Sequence, residues 1–91
     1  MIIDTHTHIF PPWLIDNRDN LLPRDITLST MYPSDLQRMA TVEELVSTMD
    51  GSGVDMSVIV GIGWNDLELC KISNDYMIEA MNKFPGKIRG F

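Results

Sequence analysis

Ile2-Ile3-Asp4-Thr5-His6-Thr7-His8-Ile9 is rich in β-branched residues and starts abruptly, a pattern that suits a short central strand better than a helix. Pro11-Pro12 ends it, so a strand is expected over about 2–9. Side chains alternate along a strand, which puts Asp4, His6 and His8 on one side and Ile3, Thr5 and Thr7 on the other.

Phe10 to Ala40 reads as a long loop broken by Pro11, Pro12, Pro23 and Pro33. About thirty residues is long for a connection in a compact domain, and such loops act as lids or contain short helices. Pro12 to Asn20 is one candidate, with proline near its first turn, and Pro33 to Met39 is another. Thr41-Val42-Glu43-Glu44 then forms a capping box, in which the threonine hydroxyl accepts a backbone amide and Glu44 reaches back to the cap. Val42, Leu45, Val46 and Met49 recur at helical spacing, and Gly51 and Gly53 offer permissive C-terminal positions, predicting a helix over 42–52.

Val54 to Val60 predicts a second strand, over 54–60, nearly uniformly apolar at its end as expected when both faces are covered. Gly61-Ile62-Gly63-Trp64 turns the corner. Asn65 followed by Glu68 is a second cap signature, and Leu69, Ile72, Tyr76, Ala80 and Phe84 predict a helix over 66–84. Pro85-Gly86 makes a turn, and Lys87-Ile88-Arg89-Gly90-Phe91 starts a third strand. The order β/α/β/α/β predicts an α/β fold with right-handed crossovers and a parallel sheet.

Bulk properties narrow the function classes. A chain of 91 residues allows one domain with a thin stability margin. Seven Lys+Arg against thirteen Asp+Glu, a formal charge of −6, leave no basic stripe to neutralise a phosphate backbone, so nucleic acid is not an expected partner. The single cysteine, Cys70, forms no internal disulfide and reads as a small buried residue; the methionines read as core filler. The N-terminus has no signal-peptide pattern, and the longest apolar run, 58–64, falls far short of the roughly 20 residues a membrane span needs. A cytoplasmic location is expected.

Chemistry concentrates in His6 and His8. Same-face neighbours on a strand stand roughly 6.5–7 Å apart at the backbone, and two imidazoles can converge on one ion at about 2.0–2.1 Å. Ligand sites of barrels and open parallel sheets form at the carboxyl ends of strands, where these histidines lie. They are the candidate metal ligands. Asp4 has two readings, a group that orients a ligand imidazole or joins a polar layer of the barrel interior, and a strand-start carboxylate satisfied by backbone amides. Phe10 and Trp64, in the loops after the two strands, and Arg38, whose planar fork suits a carboxylate, are candidate pocket residues. Trp13 and Tyr32 read equally well as aromatics pinning the loop.

The stretches IIDTHTHIFPP (2–12), RMATVEELVSTMDGSGVDMSVIVG (38–61) and NDLELCKISNDYMIEAMNKFPGKIRGF (65–91) resemble the opening of the amidohydrolase superfamily, in particular the amidohydrolase-related group of metal-dependent hydrolases and nonoxidative decarboxylases. The resemblance spans nearly the whole chain, with the HxH pair its chemically specific part. It implies a (β/α)8 TIM barrel of which this chain is the N-terminal portion, about three strands, since such a barrel takes about 250 residues. It implies a divalent ion, usually zinc, held by His6 and His8 together with a histidine and an aspartate from later strands. The implied activity is hydrolysis of a small organic carbonyl substrate by a zinc-activated water.

His6 and His8 are the only histidines present, so no catalytic base is assignable and the chain alone is expected to be inactive. The alternatives are a carboxy-lyase of the same superfamily, a non-enzymatic metal-binding or oligomerising fragment, which leaves a homo-oligomer open, and a metal-dependent deoxyribonuclease or phosphoesterase that also begins DxHxH. The acidic chain and the long proline-rich loop speak against the last.

Overall fold

The computed structural model describes residues 1–33 and 38–90. Three short strands, β1 (Ile3–Thr7), β2 (Met56–Ile59) and β3 (Ile88–Gly90), pair in parallel in chain order to make an α/β fold. Among the described residues five helices lie between them: α1 (Pro12–Asp16), α2 (Arg18–Leu21), α3 (Ile26–Met31), α4 (Val42–Ser52) and α5 (Leu67–Lys83), with a 3-10 turn at Leu22–Arg24.

The main helices form where side chains satisfy their free amides. The capping box at α4 is complete, Thr41 accepting from the Glu44 amide while Glu44 accepts from that of Thr41. Helix α4 ends at Gly53, whose φ of 76° is the left-handed conformation glycine adopts without cost. Gly51, the other expected terminal glycine, lies inside the helix. The cap of α5 is Asp66, one residue beyond the expected Asn65, and it accepts from the Leu69 amide. Asn65 is engaged elsewhere, accepting from the amide and hydroxyl of Thr27.

Both long helices pack on one face of the sheet. Val42, Val46 and Met49 of α4 meet Met77 and Ala80 of α5 over Ile9, Ile59 and Ile88. A methyl on Gly90 would come 3.1 Å from the Met81 sulfur and 3.4 Å from Ile59, so β3 and α5 touch through a backbone without a side chain. Exposed ion pairs join the rims, Lys83 with Glu43 at 3.0 Å and Lys87 with Asp50 at 2.6 Å. Such pairs add little each.

The segment expected as a loop over 10–40 is largely helical. Its helices are too short to stand alone in water, and they hold because they bury a second cluster: Phe10, Leu14, Leu21, Leu28 and Met39 against Ile62 and Leu69. Leu14 and Leu28 are fully enclosed, each contributing about 1.5–3 kcal/mol of burial. The helix expected over 33–39 falls largely on residues 34–37, outside the described residues.

The strands are shorter than expected, and β1 is not regular. It advances from Asp4 to Thr7 while β2 advances only from Ser57 to Ile59, so one extra residue is accommodated in β1. No helix among the described residues is long and apolar enough to cross a membrane.

Candidate metal centre

The irregularity in β1 decides which way its side chains point. Asp4 pairs with Ser57 and Thr7 with Ile59, and both partners are buried beneath the helices. His6 and His8, flanking Thr7, therefore project to the side opposite α4 and α5. Strict alternation through Asp4, His6 and His8 does not hold. The Asp4 carboxylate accepts from the His6 amide at 3.1 Å, a local bond that competes with the ladder where the register shifts.

The two imidazoles come together, their ring centroids 4.9 Å apart and their planes nearly perpendicular at 87°. His6 is exposed and His8 half-buried. His8 Nδ1 lies 2.8 Å from the carbonyl oxygen of Val60, just past the end of β2. A carbonyl can only accept, so Nδ1 carries a proton, and in the neutral ring the lone pair is on Nε2. This is the arrangement that orients a metal-binding histidine and raises its basicity. Thr7 holds the strand in place beside it, its hydroxyl donating to the Val58 carbonyl at 2.9 Å.

Two imidazoles at a strand end are ligand types that suit zinc chemically. Among the described residues no group of three or more His, Cys, Asp or Glu side chains is placed to hold an ion. Cys70 is half-buried on α5.

The other candidates lie in different surroundings. Phe10, 2 % exposed, is enclosed in the second cluster, edge-on to Tyr32 at 5.1 Å and to Trp64 at 6.3 Å. Trp64 packs on that cluster, with its buried Nε1 unpartnered among the described residues. Trp13 is 46 % exposed on α1. Arg38 is exposed and pairs with Glu44 at 3.2 Å. Its guanidinium helps hold the Glu44 carboxyl below the usual range, after the Thr41 amide, which acts most strongly.

Sequence reasoning passed over Asp25. It is 1 % exposed and caps α3, accepting from Leu28 at 3.1 Å, while its other oxygen accepts from the amides of Asn65 and Asp66 at 2.7 Å each. It thus ties the helical segment after β1 to the turn after β2. An aspartate three residues before Leu28 was the available signal. The spacing marks Tyr76 only as an apolar helix position, yet its hydroxyl accepts from the Val42 amide at 2.9 Å.

These features define an α/β chain with a three-stranded parallel sheet and a histidine pair at the end of its outer strand. Compared with family models, curated proteins and solved structures, the chain matches none.

Proposed function

We propose that this chain forms the first β/α units of a metal-dependent (β/α)8 barrel hydrolase of the amidohydrolase type, with His6 and His8 as two ligands of a zinc ion. The observation that carries the proposal is the 2.8 Å contact between His8 Nδ1 and the Val60 carbonyl, which leaves Nε2 free beside the His6 ring. The sheet order supports the barrel. Strands added in chain order with both crossover helices on one face curl the same way at each step, as a singly wound barrel requires.

When bound, zinc supplies a water of lowered pKa and polarises a carbonyl. The chain's own part is to hold two imidazoles in one orientation, the Val60 carbonyl retaining the proton of His8 on Nδ1. The helical segment 12–31, tied by Asp25 to the turn at Asn65 and Asp66, is placed to shape the approach to that strand end. The reading takes a small organic carbonyl compound as substrate and a cytoplasmic location, to which an acidic chain with one unpaired cysteine is suited.

The test is the reading frame beyond the Phe91 codon. Further β/α units carrying a histidine and an aspartate at strand ends are expected there, and the chain alone is expected to show no turnover. A frame encoding no further strands, or hydrolysis by the isolated chain, overturns the reading. Decarboxylation of an unsaturated acid, in place of hydrolysis, by the longer product would assign the carboxy-lyase alternative.

A further inference from the structure

The carbonyl that orients His8 belongs to the peptide joining Val60 to Gly61. A peptide plane before glycine turns easily, because glycine accepts φ of either sign, and a β-carbon on Gly61 would meet nothing within 4 Å. The direction of that carbonyl is therefore set from either side of Gly61. On the strand side, the Val60 amide donates to the Thr7 carbonyl at 3.0 Å. On the far side, the connection to α5 is gripped by the helical segment after β1. The Thr27 hydroxyl lies 2.9 Å from the Gly63 carbonyl oxygen and 2.8 Å from the Asn65 side-chain oxygen, its one proton serving the two acceptors. The Thr27 amide donates to that same Asn65 oxygen at 3.2 Å, and the Asn65 and Asp66 amides both donate to Asp25 at 2.7 Å. Ile62 is buried in the cluster that holds Leu14 and Leu28.

We propose that Asp25 and Thr27 are positioning residues for His8: by clamping residues 62–66 to the segment 12–31 they fix the Val60 carbonyl, so that docking of the segment and aiming of the imidazole are one coupled event. The sheet itself does not depend on the clamp, since β1 and β2 pair through Ile3, Asp4 and Thr7. Released from it, Gly61 and Gly63 let the carbonyl turn to water. The neutral His8 ring then reverts to the form histidine prefers in water, with its proton on Nε2, the atom that must be bare to receive an ion. An ion at Nε2 selects the opposite form. Coupling of this kind is reciprocal, so a tighter clamp raises affinity for the ion and the ion tightens the clamp. The metal part of the proposal rests on His8 being a ligand, as read above; the aiming of the ring stands without it.

The experiment follows isotope-labelled histidine in the full 91-residue chain by NMR, without metal and about two pH units above the ordinary histidine pKa of about 6.5, where the ring-nitrogen shifts report which atom carries the proton. His8 is expected on Nδ1 in the wild type. In Thr27→Val, which leaves Asp25 and the cap of α3 in place, and in Asp25→Asn, the ring should move towards the Nε2–H form, and zinc should bind roughly tenfold more weakly, as when an outer partner of a ligand is lost. Thr27→Ser keeps the hydroxyl and should restore the wild-type ring. Gly53→Ala, which loosens the end of α4 instead, separates lost stability from lost aim and should leave the ring on Nδ1. Zinc should also slow hydrogen exchange at the amides of Asn65 and Asp66 in the wild type. A ring unmoved in both Thr27→Val and Asp25→Asn overturns the proposal and leaves His8 as a ligand. An equal movement in Gly53→Ala overturns it too, because general loosening would then suffice. A wild-type ring already protonated on Nε2 overturns both the proposal and the contact on which the ligand assignment stands. A ring that follows the clamp in a chain that binds no zinc supports the positioning and overturns the ligand assignment alone.

Discussion

The carboxylate of Asp25 lies 2.7 Å from the main-chain nitrogen of Asp66, forty-one positions further along the chain (|i−j|=41), and the same oxygen also accepts from Asn65. Its second oxygen caps α3. Removing this carboxylate strands three amides, two of them at the entry to α5. Asp25→Ala is expected to cost about 2–4 kcal/mol, a lost cap plus unpaired buried donors, and to lower the melting temperature by roughly 4–8 °C per kcal/mol. Asp25→Asn should restore little, because its amide group must face donors on one side. Urea unfolding of the two variants checks this, and a loss below about 0.5 kcal/mol in Asp25→Ala would contradict it.

The same contact sets an acid dependence. Burial pushes the Asp25 pKa up, but the amides of Asp66, Leu28, Asn65 and Thr27 outweigh it and leave the carboxyl below its ordinary value of 3.8. A folded-state value below the unfolded one means stability that is full above about pH 4 and lost as pH falls through the folded value. Glu43, held down first by its hydrogen bond to Lys83, titrates in the same direction. The wild type should therefore lose stability on acidification below pH 4 more steeply than Asp25→Ala, the difference isolating this one group. Parallel pH profiles for the two proteins would rule out the assignment.

How far the chain is legible depends on the range of the interaction. The cap at Thr41 and Glu44 and the spacing of Val42, Val46 and Met49 are local, and α4 runs over the span they predict. The apolar end of β2 announces a strand, but Ser57 and Ile59 are buried while Met56 and Val58 are only half-buried, so the expected covering of both faces is met on one face alone. The segment after β1 was harder to read because α1, α2 and α3 have 5, 4 and 6 residues and owe their stability to Ile62 and Leu69, distant in sequence. The histidine pair is legible from spacing alone. The turning of Asp4 away from it is not, since the extra residue in β1 follows from pairing with a strand some fifty residues away (|i−j|=51).

Gly51 and Gly53, two positions apart, make opposite predictions. Gly51 sits inside α4 with open space where a methyl would go, so Gly51→Ala should stabilise by about 0.5–1 kcal/mol through reduced backbone entropy and better helix propensity. Gly53 has equal room, yet its φ of 76° puts a β-carbon close to the following carbonyl oxygen. Gly53→Ala should destabilise by about 1–2 kcal/mol. Thermal unfolding of the two variants is expected to shift the midpoint in opposite directions, and a shift of the same sign would refute the account of how α4 ends.

A metal held by His6 and His8 must bind the folded chain better than the unfolded one, because Nε2 of His8 is aimed only when Nδ1 is engaged by Val60 and β1 lies against β2. Zinc at 100 times its dissociation constant should then add about 2.7 kcal/mol to stability, and EDTA should remove it. In His8→Ala the increment should vanish and zinc affinity should fall at least as far as when an outer partner of a ligand is lost, roughly 10–100-fold. His8→Gln provides the sharper comparison. Its amide nitrogen can still donate to the Val60 carbonyl and hold the strand end, but it presents no imidazole to the ion, so its metal-free melting temperature should stay near that of the wild type while its response to zinc is lost. A His8→Gln protein that zinc stabilises as strongly as the wild type would mean that the ion sits elsewhere on the chain.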